Sequence, residues 1–170
     1  AWLLAFHLPL RRERLKIQPY RLMDAAGAAE VVTDGVVIDG NAKLSFDLPT
    51  REVITDALDW GLFGLAAETL GLMEVANAST FQYLATRKQF GVPIGAFQAL
   101  QHRAADMKVA EEELRALLNL AIEALSNPIS AQRSALISAA KASADTAGRK
   151  VGHEAVQMHG GMGVTQECRV

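Results

Sequence analysis

The spacing of apolar residues changes near residue 49, and that change constrains the fold more than any other feature of the chain. Before it lie three short runs rich in β-branched residues, "LLAFHLP", "RLKIQPY" and "AEVVTDGVVI", with Asp34-Gly35 and Asp39-Gly40 as turn signals. After it the spacing is helical. Pro49-Thr50 opens a first helix, with the Thr50 hydroxyl as cap and Glu52 near the positive end of the dipole. Ile54, Leu58, Leu62, Leu65, Leu70 and Met73 give its stripe, and it is expected to reach about Lys88, on the order of 57 Å at 1.5 Å per residue. "FGVPIG" then forbids continuation.

A second helix carries Phe97, Leu100, Ala104, Met107, Leu114, Leu117 and Ala121 on one face and stops near "SNPIS". A third runs from Ser130, its cap, to about Met158, striped by Leu136, Ala140, Ala147, Val151, Ala155 and Met158. Three helices of roughly 40–60 Å with short connections fold back on one another. The expected fold is therefore mainly α: three of the four helices of an antiparallel bundle (residues 49–170), preceded by a fragment of an antiparallel β-domain (residues 1–48). A missing fourth helix, and an opening at Ala1–Leu8 that reads as the middle of a strand, suggest a piece of something longer.

Composition narrows the classes of function. Half of the residues are hydrophobic and 21% are charged, so the chain is globular. A net charge of −2 with no basic tract argues against nucleic acid. No segment has the character of a membrane span. The single cysteine, Cys168, excludes an internal disulfide and fits a reducing, cytoplasmic compartment. No metal site is expected.

Two stretches carry more chemistry than a helical hairpin requires. "YLATRKQFGVPIGAFQALQHRAADM" crowds Arg87, Phe90, Phe97 and Gln98 into one tight corner. A guanidinium suits phosphates. "VGHEAVQMHGGMGVTQE" ends a helix with Gln157 and His159, then spends Gly160, Gly161 and Gly163 where one glycine would stop it. Extra glycines let backbone N–H groups approach an anion or a planar ring. Together they suggest one extended phosphate-bearing ligand, touched from both helix ends.

"TRKQFGVPIGAFQALQHRAADM" followed by "VQMHGGMGVTQE" resembles the C-terminal part of an acyl-CoA dehydrogenase. The resemblance covers nearly the whole chain. "AAETLGLMEVANASTFQYLATRKQFG" is similar in character to bacterial members such as pimeloyl-CoA dehydrogenase small subunits. The family resemblance implies a flavoenzyme that binds FAD, oxidises an acyl-CoA thioester to the 2,3-enoyl-CoA and passes electrons to an electron-transfer flavoprotein. By motif position, Arg87 would contact the FAD pyrophosphate and Phe90 would pack near the adenosine, with Phe97 and Gln98 lining the same side. Gln157, His159, Gly160 and Gly161 would hold the adenine end. In the family these residues serve the FAD of a neighbouring subunit, which implies a homo- or hetero-oligomer, a dimer or tetramer.

The catalytic residue stays unassigned. Most family members carry a glutamate shortly after the glycines; Glu167 lies too close to them to match, and the sequence ends at Val170. A minority use the first long helix, at the position of Gly61, which has no side chain to act as a base. Asp59 lies roughly 200° around the helix from it. Asp56, Asp59 and Glu68 read as surface or helix-end charges, and His102 and His153 as helix-surface or partial core residues. A non-catalytic scaffold subunit of a heteromeric dehydrogenase is the alternative function, and a ligand-free helical bundle a further one. The 170 residues alone are expected to be inactive: incubated with FAD and an acyl-CoA, they should form no enoyl-CoA by absorbance or mass spectrometry.

Overall fold

The computed structural model describes residues 4–9, 14–165, 167, 168 and 170. The chain forms two compact units, Ala1–Val53 and Ile54–Val170.

The first unit is built on an antiparallel hairpin of β1 (Leu15–Arg21) and β2 (Gly27–Thr33), with Leu15 opposite Thr33 and Arg21 opposite Gly27. Its turn is made by residues without a strong sequence signal. The Leu22 amide donates to the Ala26 carbonyl (2.9 Å), the Asp24 carboxylate accepts from the Ala26 amide (2.9 Å), and Ala25 sits at φ 66°. The run "AEVVTDGVVI" is strand as far as Thr33; Gly35, in the Asp34-Gly35 turn signal, takes φ +61° and redirects the backbone. Asp39 caps a short 3₁₀ turn, Gly40–Ala42, by accepting from the Asn41 amide. The described part of "LLAFHLP" is not a strand but a single bridge of Phe6 with Lys43. Leu3, the first residue of that run, lies outside the described residues, as do Ala1 and Trp2.

The second unit is a bundle of α1 (Thr50–Thr86), α2 (Gln98–Leu125) and α3 (Ala131–His159), up, down and up. The Pro49 carbonyl accepts the Glu52 amide at the start of α1, and the Ser130 hydroxyl accepts the Arg133 amide at the start of α3. The core is Ala66, Met73 and Leu84 from α1, Met107, Leu114 and Ala121 from α2, and Ile137, Ala140, Val151, Ala155 and Met158 from α3. The stripes read for α2 and α3 supply part of it, Met107, Leu114 and Ala121 from the one and Ala140, Val151, Ala155 and Met158 from the other, while buried Ala110, Leu118, Leu125, Ile137 and Ala144 lie off them. The α1 stripe does not: Leu58 and Leu65 are more than half exposed, while Asp59, Asn77 and Thr80 are buried. Apolar residues surround α1, so spacing alone does not choose its inner face. No helix among the described residues is long and apolar enough to cross a membrane.

Polar pairs fix the helices in register. Asn77 on α1 donates to the buried Glu111 carboxylate on α2 at 2.7 Å, and Lys108 and Arg115 close on the same carboxylate at 2.7 and 2.6 Å. Arg115 also reaches Glu74 at 2.7 Å. At the opposite end, buried Arg133 on α3 pairs with Asp56 and Asp59 of α1, and Ser134 donates to Asp59 at 2.9 Å. Asp59 is therefore no surface charge. It is 3% exposed and tied to the foot of α3.

Burial pushes the Glu111 carboxyl up, but the hydrogen bonds from Asn77, Lys108 and Arg115 outweigh it and hold the group below the ordinary 4.5. A depressed carboxyl contributes stability that is complete above its unfolded-state value and lost as pH falls through the folded-state value. Unfolding by urea should therefore show stability declining as pH drops below 4.5. Glu111→Gln should flatten that decline while lowering stability at neutral pH by about 1–3 kcal/mol.

Candidate functional site

The corner between α1 and α2 is a miniature hairpin. The Arg87 amide donates to the Tyr83 carbonyl at 2.8 Å as α1 ends. β3 (Lys88–Gln89) then pairs with β4 (Val92–Pro93), with Gln89 opposite Val92, which leaves Phe90 and Gly91 as a two-residue turn. Both have positive φ, 53° and 82°. A two-residue turn of this hand matches strand twist and favours Asn-Gly. Here its first position is a phenylalanine, at a backbone cost of about 1–2 kcal/mol. The ring is not repaid by burial: Phe90 is 91% exposed and meets Phe97 in a T-shaped pair, at a centroid distance of 6.1 Å. The Ile94 amide returns to the Arg87 carbonyl at 2.8 Å, and Gln101 holds the Gly95 carbonyl at 2.9 Å. Gly95 backs onto α1 so closely that a Cβ there would lie 3.0 Å from the Leu84 carbonyl oxygen.

The end of α3 answers the question its three glycines raise. Gly160 takes φ +63° and ends the helix, and Gly160–Val164 continue as a 3₁₀ turn. Gly163 is required by packing, since a Cβ would lie 2.5 Å from the Val156 carbonyl oxygen. Gly161 answers neither need. Its φ is not positive, and among the described residues, its chain neighbours apart, no atom stands within 4 Å of where a Cβ would be. That peptide faces open space.

These two ends meet. The ring of His159, the last residue of α3, stacks on that of Tyr83, one turn before Arg87 on α1, with centroids 4.5 Å apart and planes at 26°. His159 is 6% exposed. Its Nδ1 lies 2.9 Å from the Ala155 carbonyl. A carbonyl only accepts, so Nδ1 carries the proton. Arg103 of α2 pairs with Glu154 of α3 at 2.6 Å.

Arg87, Phe90, Phe97, Gln98, Gln157, Gly160 and Gly161 thus stand exposed at one end of the bundle, while the His159 ring is turned inward. Gln166, within the second sequence stretch, lies outside the described residues; Glu167 is exposed. Gly61 lies on an open face of α1, where a Cβ would meet nothing within 4 Å. His102 and His153 are exposed on α2 and α3. Sequence reasoning missed Tyr83. Helix direction was the signal available: in an up-down-up bundle the ends of α1 and α3 are neighbours, which puts position 83 level with position 159.

Comparison with known proteins assigns this architecture. Residues 51–170 match the model of the acyl-CoA dehydrogenase C-terminal domain, and the chain belongs to the acyl-CoA dehydrogenase family. It is 36% identical over 142 residues to the short-chain-specific acyl-CoA dehydrogenase of Megasphaera elsdenii, covering 83% of this chain and 36% of that protein. It is 38% identical over 154 residues to the acyl-CoA dehydrogenase IpdE2 of Mycolicibacterium smegmatis, covering 84% and 47%. The solved structure of butyryl-CoA dehydrogenase from Megasphaera elsdenii superposes with a TM-score of 0.85 at 28% identity, covering 97% of this chain and 43% of that one. The chain thus spans less than half the length of these relatives.

The Phe90 turn yields a test that separates folding from function. Phe90→Asn should stabilise the protein by about 0.5–1 kcal/mol, read as a higher unfolding midpoint, because asparagine tolerates the left-handed region. A residue kept for folding would instead lower the midpoint on substitution.

Proposed function

We infer that this chain is the C-terminal part of an FAD-dependent acyl-CoA dehydrogenase, and that this end of its bundle grips the pyrophosphate and adenosine of a flavin held mainly by a neighbouring subunit. The whole protein would oxidise an acyl-CoA thioester to the 2,3-enoyl-CoA, with an electron-transfer flavoprotein as electron acceptor. Residues 1–48 then read as the end of the middle β-domain and 49–170 as the helical-bundle domain. The lone cysteine suits a cytoplasmic setting. Leu58, Leu65, Leu72 and Val75, exposed along α1, suit an oligomer.

One observation carries the reading: an exposed guanidinium, an exposed aromatic pair and a glycine peptide facing open space occur together at one end of the bundle. Each fits one part of the cofactor. The Arg87 fork suits the pyrophosphate oxygens. The Phe90 and Phe97 rings offer flat apolar surface to the adenosine. Gln157 and Gln98 supply amide donors and acceptors, and the Gly160-Gly161 backbone can come close to a ring edge because no Cβ intervenes. When bound, FAD supplies the electron acceptor for the dehydrogenation. The residues described here hold its far end and take no part in proton removal.

Arg87→Ala in the protein expressed from its complete reading frame should weaken FAD binding by about 1.5–3 kcal/mol. The readout is the ratio of flavin to protein absorbance, followed by titration of the stripped protein. Gly161→Ala meets no atom of the described residues beyond its chain neighbours within 4 Å, so it should leave the unfolding midpoint unchanged and still lower flavin content. Full flavin content in both variants would overturn the reading.

A further inference from the structure

We propose that Tyr83 and His159 are positioning residues whose ring stack sets the spacing between Arg87 and the Gly160-Gly161 turn, and with it the length of cofactor tail those elements can span. The proposal rests on the FAD reading above, adds Tyr83 to it, and gives His159, which the family resemblance put among the residues holding the adenine end, a part that does not touch the flavin.

Each ring is one link from a ligand-bearing element. His159 is bonded directly to Gly160, so any rotation of its backbone moves the glycine turn. The Tyr83 carbonyl accepts the Arg87 amide at 2.8 Å, so the last turn of α1 carries Arg87 with it. The stack, with centroids 4.5 Å apart, joins these two ends directly, whereas the Arg103–Glu154 pair joins α2 to α3. The contact is also directional. An aliphatic side chain would fill the interior beside α1 as well as an imidazole does, but it would leave the end of α3 free to turn. Here the 2.9 Å contact of Nδ1 with the Ala155 carbonyl fixes the plane of the imidazole, and the tyrosine face then fixes where that plane sits. Met73, Met107, Leu114 and Val151 belong to an apolar cluster in the body of the bundle that includes neither ring. Loss of the stack should therefore loosen the site before it loosens the fold.

The experiment uses the complete protein and measures the FAD dissociation constant by titrating stripped enzyme with FAD, well below the unfolding midpoint, beside the midpoint of the stripped enzyme itself. Tyr83→Leu and His159→Leu keep apolar volume and remove the stack. Each should weaken FAD about tenfold with a midpoint close to that of the unaltered protein, and the double variant should be no weaker than either single one. Tyr83→Phe keeps the ring and should bind FAD normally. Tyr83→Trp keeps a ring of different size, fills the site and should weaken FAD several-fold; it serves as the test should a leucine variant not fold. Normal FAD affinity in Tyr83→Leu or, if that variant does not fold, in Tyr83→Trp would overturn the proposal, as would equal losses in Tyr83→Leu and Tyr83→Phe. Arg87→Ala is measured in parallel. If it leaves FAD unaffected, the cofactor reading itself fails. If it weakens FAD while the Tyr83 variants do not, only the positioning role fails.

Discussion

The register of α1 against α3 is the constraint on which the rest depends. The two helices run in the same direction and are tied near both ends, by Arg133 to Asp56 and Asp59 at the foot and by His159 to Tyr83 at the head. From Arg133 to His159 the chain climbs 26 residues (159 − 133), and from Asp59 to Tyr83 it climbs 24 (83 − 59). The climbs nearly match, at about 36–39 Å each. A slip of one residue at either tie would move its side chain about 1.5 Å along the axis and 100° around it, out of reach of its partner. An apolar interface alone tolerates such slips more readily, because one aliphatic contact resembles the next. The polar and aromatic ties are what make the arrangement single-valued, and the site at the head of the bundle inherits its geometry from them.

Much of this was legible in the sequence. Helix length, direction and breaks followed from apolar spacing and from the glycines and prolines of "FGVPIG" and "SNPIS". The two stretches that form the candidate site stood out because their residue types exceeded what a turn requires. What spacing concealed was the orientation of α1. Its leucines point to more than one side, and its true inner face is marked instead by Asp59, Asn77 and Thr80, the first two with partners on other helices. Asp59 reads as solvated until Arg133, 74 positions later (133 − 59), is brought beside it. The β1–β2 turn was hidden for a different reason. Its signal is an aspartate bonding locally and an alanine with positive φ, and neither stands out in a sequence that offers two Asp-Gly pairs nearby.

The glycines show how identical letters record different demands. Gly160 satisfies a backbone angle, Gly163 a tight contact and Gly161 neither. Phe90 is the converse case, a bulky residue placed where glycine or asparagine would be easier, with its ring turned to solvent. Both depart from what the isolated chain would prefer, in opposite directions, and both do so at the same end of the bundle. Local rules fail together where something other than folding has shaped the sequence.

Between the two ties lies a third point of approach. A Cβ on Gly148 of α3 would come within 2.7 Å of the Thr69 methyl on α1, so the helices touch backbone to side chain about midway along their length. Gly148 therefore sets how near α3 can lie to α1 between the two ties, as the ring stack and the Arg133 cluster do at the ends.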